Sequence, residues 1–396
     1  MEGIIKLKTD EIKNKCDKYI MNTYGRQPIV LDHGHNQKVY DTDGNEYLDF
    51  FAGVAVNNLG QTNNQVVEAL QKQAEKMMHC SNIYYNEPAA NLSEKLAEIT
   101  KLDKVFFSNS GAEANEAAIK LARKYTKKEN IITAVDSFHG RTMLTVTATG
   151  QDQYKLPFKP LPPGFKHVPF NDIDAIKEII DDNTAAIMLE VVQGEGGINV
   201  ASKEYIKEVE KICKENKILL IIDEVQTGIG RCGEILASQI YDIKPDVVSL
   251  AKGLGSGFPI GATLATEEVS KGFEPGDHGS TFGGNPLACA VGNATLEVIK
   301  EDKILENTQT VGQYLQDQLK ELKEKYNFIV DIRGLGLLQG AELNFEGGEI
   351  VDKMREKGIL INCTAGKVLR FAPPLTITKS DVDTMIKALD EIFSNI

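Results

Sequence analysis

The chain has 396 residues, 42% hydrophobic and 26% charged, the composition of a globular protein too long for one small core. A formal net charge of −13 argues against a surface for nucleic acid or anionic membrane, while leaving room for a local basic pocket that takes a small anion. Six cysteines (Cys16, Cys80, Cys213, Cys232, Cys289, Cys363) without CxxC spacing fit neither a disulfide framework nor a zinc site and suit a reducing cytoplasm.

In chain order, the opening MEGIIKLKTDEIKNK lacks the apolar stretch of a signal peptide. No later run approaches the roughly 20 apolar residues that span a membrane. Residues 28–50 read as a small meander, with DTDGNEY (41–47) as its turn. The middle of the chain alternates strand-like runs with helical patterns. The runs are VFFSNS (105–110), IITAVD (131–136), TVTATG (145–150), AAIMLEVV (185–192), ILLIIDEV (218–225), VVSLAK (247–252) and GATLAT (261–266). They are rich in Val and Ile and mostly do not alternate with polar residues, as expected of strands covered on both faces. Helical stretches at 111–126 and 202–216 lie between them, so the pattern predicts an α/β fold with a largely parallel, doubly wound sheet. Beyond about residue 290 one long helix is expected to roughly 325, then short strands within 328–343. A last helix over 379–396 has Ser380 as its expected N-cap. The expected division is a large domain over 51–290 and a smaller one built from 1–50 and 291–396.

Parallel sheets present ligands at the carboxyl ends of their strands. Three polar groups fall there. Ser110-Gly111-Ala112 opens a helix whose first backbone N–H groups suit a phosphate, although Ser110 and Glu113 also read as a capping box. Asp223-Glu224 ends the most apolar run, where a carboxylate is costly unless a ligand or an ion pair partners it; Gln226 shares that rim. Lys252 ends the next run. Desolvation there would lower its pKa and make it a nucleophile and base, and the alternative is a side chain that snorkels to solvent. The GLGSG glycines after it lack the strand–GxGxxG–helix order of a dinucleotide site. A phosphate cradle, a buried carboxylate and a buried lysine together are what pyridoxal phosphate requires: the lysine for a Schiff base, the carboxylate to keep the pyridine nitrogen protonated.

The blocks FSNSGAEANEAAIKLAR, SFHGRT, LEVVQGEGG, IIDEVQTGIGRCG, LAKGLGSGFPIGA, GSTFGGNPLACA and LRFAPPL follow one another in an order that resembles the class III aminotransferases, fold-type I pyridoxal-phosphate enzymes. The resemblance runs nearly end to end. It implies a mostly parallel seven-stranded sheet with helices on both faces, plus a smaller α+β domain from both chain ends. It implies N2-acetylornithine as amino donor and 2-oxoglutarate as acceptor, in arginine biosynthesis. Succinylornithine, 4-aminobutyrate and aminoadipate-type donors are the alternatives within the family. An aminomutase on the same fold, or a phosphate-ligand-binding protein, are the alternatives outside it.

By the same resemblance Lys252 and Asp223 are catalytic, Lys252 holding the cofactor and moving the proton while Asp223 pairs with the ring nitrogen. Gln226 meets the ring hydroxyl, Glu224 and Val225 lie on the same rim, and Phe138 stacks on the ring. Ser110, Gly111 and Ala112 hold the phosphate, joined by Thr281 from a neighbouring subunit, which implies a homodimer with a shared active site. Ser280 lies beside the substrate. Arg141 takes the α-carboxylate of the donor, or the side-chain carboxylate of glutamate. Arg370 takes the α-carboxylate of glutamate or 2-oxoglutarate, and Glu195 masks Arg370 when no carboxylate is there. The chain departs from ornithine aminotransferases in having no tyrosine within Ala52–Val56, which favours an acylated donor, and it reads GQTNN at 60–64 where the family often has GHxHP. His33 and His35 lack a third ligand, so no metal site is expected, and His139 is expected to be structural.

Overall fold

The computed structural model describes residues 9–396, and in it the Val- and Ile-rich runs of the middle of the chain meet in one sheet. The expectation about a leader concerns in part residues 1–8, which lie outside the described residues. The meander is formed by β1 (Leu31–His35), β2 (Lys38–Asp41) and β3 (Glu46–Asp49), all antiparallel. Its second turn is set by Asp41, whose Oδ1 accepts the N–H groups of Asp43 at 2.9 Å and Asn45 at 2.8 Å.

Next in the chain come β4 (Lys104–Ser108), β5 (Asn130–Ala134), β6 (Phe165–Val168), β7 (Thr184–Leu189), β8 (Val192–Gln193), β9 (Asn199–Val200), β10 (Leu219–Asp223), β11 (Val247–Leu250) and β12 (Gly261–Ala265). Leaving aside the small β8–β9 pair, they build a seven-stranded sheet in the order β4-β12-β11-β10-β7-β5-β6. In it β12 runs antiparallel to β11 and β4, and the other pairs are parallel. Successive side chains point to opposite faces, and both faces are covered. Leu220, Ile222, Ile187, Leu189 and Val248 enter the main core, whereas Ile221, Met188, Ala186 and Val247 pack on the other side with Ala118, Ile119 and Ala122 of the Gly111–Thr126 helix. This two-sided burial is why the runs do not alternate.

One expected strand is a helix. TVTATG (145–150) falls mostly within a short helix over Met143–Ala148, and the seventh strand of the sheet is Phe165–Val168 instead. The β-branched residues are accommodated because their hydroxyls bond carbonyls one turn back: Thr147 Oγ1 to Met143 O at 2.7 Å and Thr149 Oγ1 to Thr145 O at 3.0 Å.

Towards the C-terminus, β13 (Ile329–Leu335), β14 (Leu338–Leu343), β16 (Asn362–Thr364) and β17 (Val368–Phe371) form a four-stranded sheet, while β15 (Ile359–Leu360) pairs in parallel with β3 and so ties the two chain ends together. The single long helix expected after 290 is two, Pro286–Glu301 and Ile304–Lys325, separated where Lys303 adopts φ +52°. The last helix, Lys379–Phe393, is capped by Thr378 rather than Ser380. Thr378 is the residue three positions before Asp381, and the two close a reciprocal capping box. Among the described residues no helix is long and apolar enough to cross a membrane.

A fully buried arginine fastens the terminal segments to the sheet. Arg231 Nη1 donates to the carbonyls of Leu337 at 3.0 Å and Pro373 at 2.5 Å, and Nη2 donates to Asn58 Oδ1 at 2.7 Å. Burial pushes its pKa down to about 10, which leaves it charged at neutral pH. Arg231→Met would orphan three buried acceptors, and the expected loss is about 2–4 kcal/mol of stability, read from the denaturant midpoint. An unchanged midpoint would show that the carbonyls find other donors.

Candidate active site

The carboxyl ends of β4, β5, β7, β10 and β11 open onto one cavity of about 430 Å³, within the usual size of a small-molecule site. Each strand end delivers one part of its lining. From β4 come Asn109 and Ser110, then Gly111, Ala112 and Asn115 of the following helix. Phe138, His139, Gly140 and Arg141 follow β5, Glu190 and Glu195 follow β7, Asp223, Val225 and Gln226 come from β10, and Lys252 follows β11.

Ser110 fulfils the capping reading, its Oγ accepting Glu113 N–H at 3.2 Å. That leaves the first-turn amides of Gly111 and Ala112, which helix geometry denies any intrahelical acceptor, at the positive end of a 16-residue helix, an arrangement suited to an anion. Position 111 tolerates no side chain, because a Cβ there would lie 2.6 Å from Val225 Cγ1, on the opposite wall of the cavity.

Asp223 is buried and rigidly held. Its Oδ2 accepts Asn115 Nδ2 at 2.7 Å and faces His139 Nδ1 at 2.8 Å, while Oδ1 accepts only Val225 N–H at 3.0 Å. Burial works to lower the pKa of His139, but the hydrogen bond and charge of Asp223, with the charge of Glu190, outweigh it and raise the value overall. His139, expected to be structural, therefore belongs to the polar floor of the cavity.

Lys252 occupies the second position after the end of β11, with a left-handed backbone (φ +42°) that costs a non-glycine residue about 1–2 kcal/mol. Such strain persists only where the surroundings impose it. Its ammonium makes no hydrogen bond or ion pair with any described residue. Burial lowers its pKa and the charge of Arg370 adds to that, while Glu195, Asp223 and Glu190 oppose. The Gly253 beside it packs flat on the neighbouring loop, where a Cβ would stand 2.1 Å from Asn58 Nδ2.

Two arginines reach the site in different states. Arg370, on β17, is buried; its Nη1 bonds Glu195 Oε1 at 2.5 Å, Gly194 O at 3.0 Å and Gln226 Oε1 at 3.3 Å, and its Nε bonds Asn362 Oδ1 at 3.0 Å. Burial works to raise the pKa of Glu195, but the charges of Arg370 and Lys252 and the hydrogen bonds from Arg370 and Gln226 bring it below the ordinary value. Arg141 is exposed, and its guanidinium lies over the ring of Tyr154 at 4.0 Å and over that of Phe138 at 5.3 Å.

Four expected residues stand apart from the lining, Arg370 among them because it lies behind Glu195 and Gln226. The Glu224 carboxylate turns away from the cavity to accept Thr227 Oγ1 at 2.5 Å and the N–H groups of Ala237 at 3.0 Å and Ser238 at 2.8 Å, so its contacts are those of a buried staple. Ser280 Oγ accepts Asn109 Nδ2 at 3.1 Å from just outside, and Thr281 is exposed and outside the lining. The sequence reading passed over Asn115, Glu190 and Tyr154. Asn115 is a lone amide in an Ala- and Ile-rich helical stripe, and Glu190 ends an apolar strand just as Asp223 does. Burial, with the Asp223 charge beside it, pushes Glu190 up to about 8 against the opposing effects of His139 and of the Phe138 and Gly194 amides.

The class-III aminotransferase family model matches residues 19–393. The chain is 54% identical over 389 residues to an acetylornithine aminotransferase of Methanocaldococcus jannaschii, covering 96% of this chain and 97% of that protein. It is 51% identical over 388 residues to that of Methanothermobacter thermautotrophicus, covering 98% and 100%. Among solved structures it superposes on an ornithine aminotransferase of Toxoplasma gondii, described with partial occupancy of PLP at its active site, with a TM-score of 0.95, 34% identity and coverage of 98% and 95%. An acetylornithine aminotransferase of Elizabethkingia anophelis gives a TM-score of 0.88 at 33% identity, covering 98% and 100%.

The charges around Lys252 fix the sign of two substitutions. Glu195 raises its pKa, so Glu195→Gln shifts the pH at which Lys252 becomes reactive toward formaldehyde to a lower value; Arg370 lowers it, so Arg370→Met shifts that pH upward. Reductive methylation of the Lys252 peptide, followed by mass spectrometry across pH, checks both. Coincident midpoints would contradict the arrangement.

Proposed function

The chain belongs to the class-III aminotransferases, and from that premise we propose that it transfers the δ-amino group of N2-acetyl-L-ornithine to 2-oxoglutarate, giving N-acetyl-L-glutamate 5-semialdehyde and L-glutamate. The observation that carries the reading is the meeting, on one cavity, of Lys252, Asp223, the Gly111–Ala112 amides, the open Arg141 and Glu195, which masks Arg370 behind it. Pyridoxal phosphate, the cofactor of this family, supplies when bound an electron sink that makes the C–H beside the donor nitrogen acidic.

The residues fit that group. Lys252 Nζ is unbonded to any described residue, and Asp223 Oδ1, with one donor only, keeps a lone pair for a ring N–H. Asn115 and His139 fix the other oxygen, so the carboxylate stays oriented toward the place of a pyridine nitrogen. The Gly111 and Ala112 amides, with Ser110, would hold the phosphate, Gln226 would meet the ring hydroxyl, and Phe138 would cover the ring. Lys252, its basicity lowered by burial, takes and returns the proton at the δ-carbon of the donor.

Alternation of substrates falls to Arg370 and Glu195. A buried guanidinium without a partner is costly, so Glu195 neutralises it while a donor with a bare δ-amine is bound. It yields its place when the α-carboxylate of glutamate or 2-oxoglutarate arrives. Gly194 O and Gln226 stay on Arg370 in both states and keep its fork in position. Arg141 takes the carboxylate at the far end of either substrate. Val56, an aliphatic residue on the cavity wall, leaves space for an acyl group.

Ile83, Tyr84, Tyr85 and Phe282 are exposed around Thr281, and Asn82 ties the two segments by donating to Ser280 O at 3.1 Å and Gly283 O at 2.8 Å. An apolar surface of this kind suits a second copy of the chain, whose Thr281 completes the phosphate site across a homodimer. We assign residues 51–290 to a large cofactor-binding domain, the two chain ends to a smaller one, and the enzyme to cytoplasmic arginine biosynthesis.

Single-turnover half-reactions over a donor panel test the reading. Acetylornithine should react faster than 4-aminobutyrate or succinylornithine, and the reverse order would refute it. Arg370→Lys should raise the KM for 2-oxoglutarate by about tenfold or more, with a much smaller change in the acetylornithine half-reaction.

A further inference from the structure

Arg141 and Arg370 are both assigned to carboxylates, yet they are held by opposite means. Arg370 is gripped by hydrogen bonds in the interior. Arg141 is exposed and makes no hydrogen bond or ion pair with any described residue, so its N–H donors are all open. A long, exposed arginine held by nothing would sample many rotamers and lose that freedom on binding. What holds it here is the face of Tyr154, 4.0 Å from the guanidinium carbon. Stacking uses the flat face of the guanidinium, whereas carboxylate capture uses the N–H groups in its plane, so one does not obstruct the other.

The shelf is itself anchored. Tyr154 belongs to the short Asp152–Lys155 helix, and its ring meets Phe138 at 5.8 Å with an interplanar angle of 87°. The adjacent Lys155 is buried, its ammonium donating to Thr149 O at 3.2 Å, lying 3.4 Å from His167 Nε2 and pairing with Asp152 at 3.3 Å. Burial and then the charge of Lys155 lower the pKa of His167, which keeps that ring neutral as an acceptor. The helix is thus pinned to the β5–β6 side of the sheet, with the Tyr154 ring half-buried against Phe138.

We propose that Tyr154 is a positioning residue that preorganises Arg141 by stacking, and so selects substrates with a carboxylate at the end remote from the reacting amine. The inference rests on the reading of Arg141 as the group that binds this carboxylate. Its test compares two donors of equal chain length in single-turnover half-reactions of the holoenzyme: acetylornithine, and N-acetylputrescine, which lacks only the carboxylate. The readout is the ratio of their kcat/KM values, with the change expected in apparent affinity rather than in the limiting rate. Tyr154→Leu should lower this ratio about three- to thirtyfold, and Tyr154→Phe, which keeps the ring, should restore it. Arg141→Gln should lower it at least as far. A ratio that falls in Arg141→Gln but holds in Tyr154→Leu would overturn the positioning role and leave the Arg141 reading intact. A ratio that holds in Arg141→Gln would remove that reading and the proposal with it. A fall in Tyr154→Phe equal to that in Tyr154→Leu would assign the effect to the hydroxyl and overturn the stacking account. Should the leucine variant fail to fold, as read by its melting temperature, Tyr154→Gln serves the same comparison.

Discussion

Lys252 follows the end of β11 in a left-handed backbone with its ammonium facing Glu195, Arg370, Asp223 and Glu190, and no described residue hydrogen-bonds it. An amine so placed is stabilised only by the field of charges around it, and the rest of the site is arranged to supply that field. Glu195, Asp223 and Glu190 hold its charge in place, while burial and Arg370 work to strip it. The balance leaves an amine that gives up its proton more readily than a surface lysine, which is the property a nucleophile and proton carrier needs.

The parallel sheet makes this possible without long loops. Five strands of one sheet end on the same side, β4 across the antiparallel β12 from the other four, so residues far apart in sequence arrive at one cavity on backbone that is already rigid. The carboxylate of Asp223 and the helix amides line the same space, the one suited to a cationic ring nitrogen and the other to a phosphate. The substrate side is built differently, from loops and from β17 of the C-terminal sheet. There one arginine is charged and masked from within by Glu195, and the other is open and held only by aromatic faces. That asymmetry matches a site whose inner carboxylate comes and goes while an outer one is always present.

Much of this was legible in the residues themselves. Lys252, Asp223 and Ser110–Ala112 announce themselves because a polar group after an apolar run is costly, and the rule that parallel strands open at one edge places them together. What escaped did so for identifiable reasons. Glu190 obeys the same rule as Asp223, but the apolar run resumes with Val191 and Val192 although β7 has ended, so no end is marked there in the sequence. Phe165–Val168 is an edge strand bonded on one side only, largely half-buried, and lacks the continuous apolar signature of its neighbours. The Thr145–Thr149 stretch has strand propensity that tertiary burial and hydroxyl back-bonds override. Nothing local marks the break at Lys303, where the left-handed residue is neither glycine nor asparagine. Tyr154 lies in a polar four-residue helix whose importance exists only through what it touches in space.

The account stands on Lys252 as the one amine to which the cofactor is joined, with Asp223 and the Gly111–Ala112 amides fixing where the rest of it lies. Borohydride reduction of the protein loaded with pyridoxal phosphate, followed by peptide mass mapping, tests this most directly. The account predicts a single modified peptide per chain, carrying the added mass on Lys252. Modification of a different lysine such as Lys155, or no modification of a fully loaded protein, would contradict it.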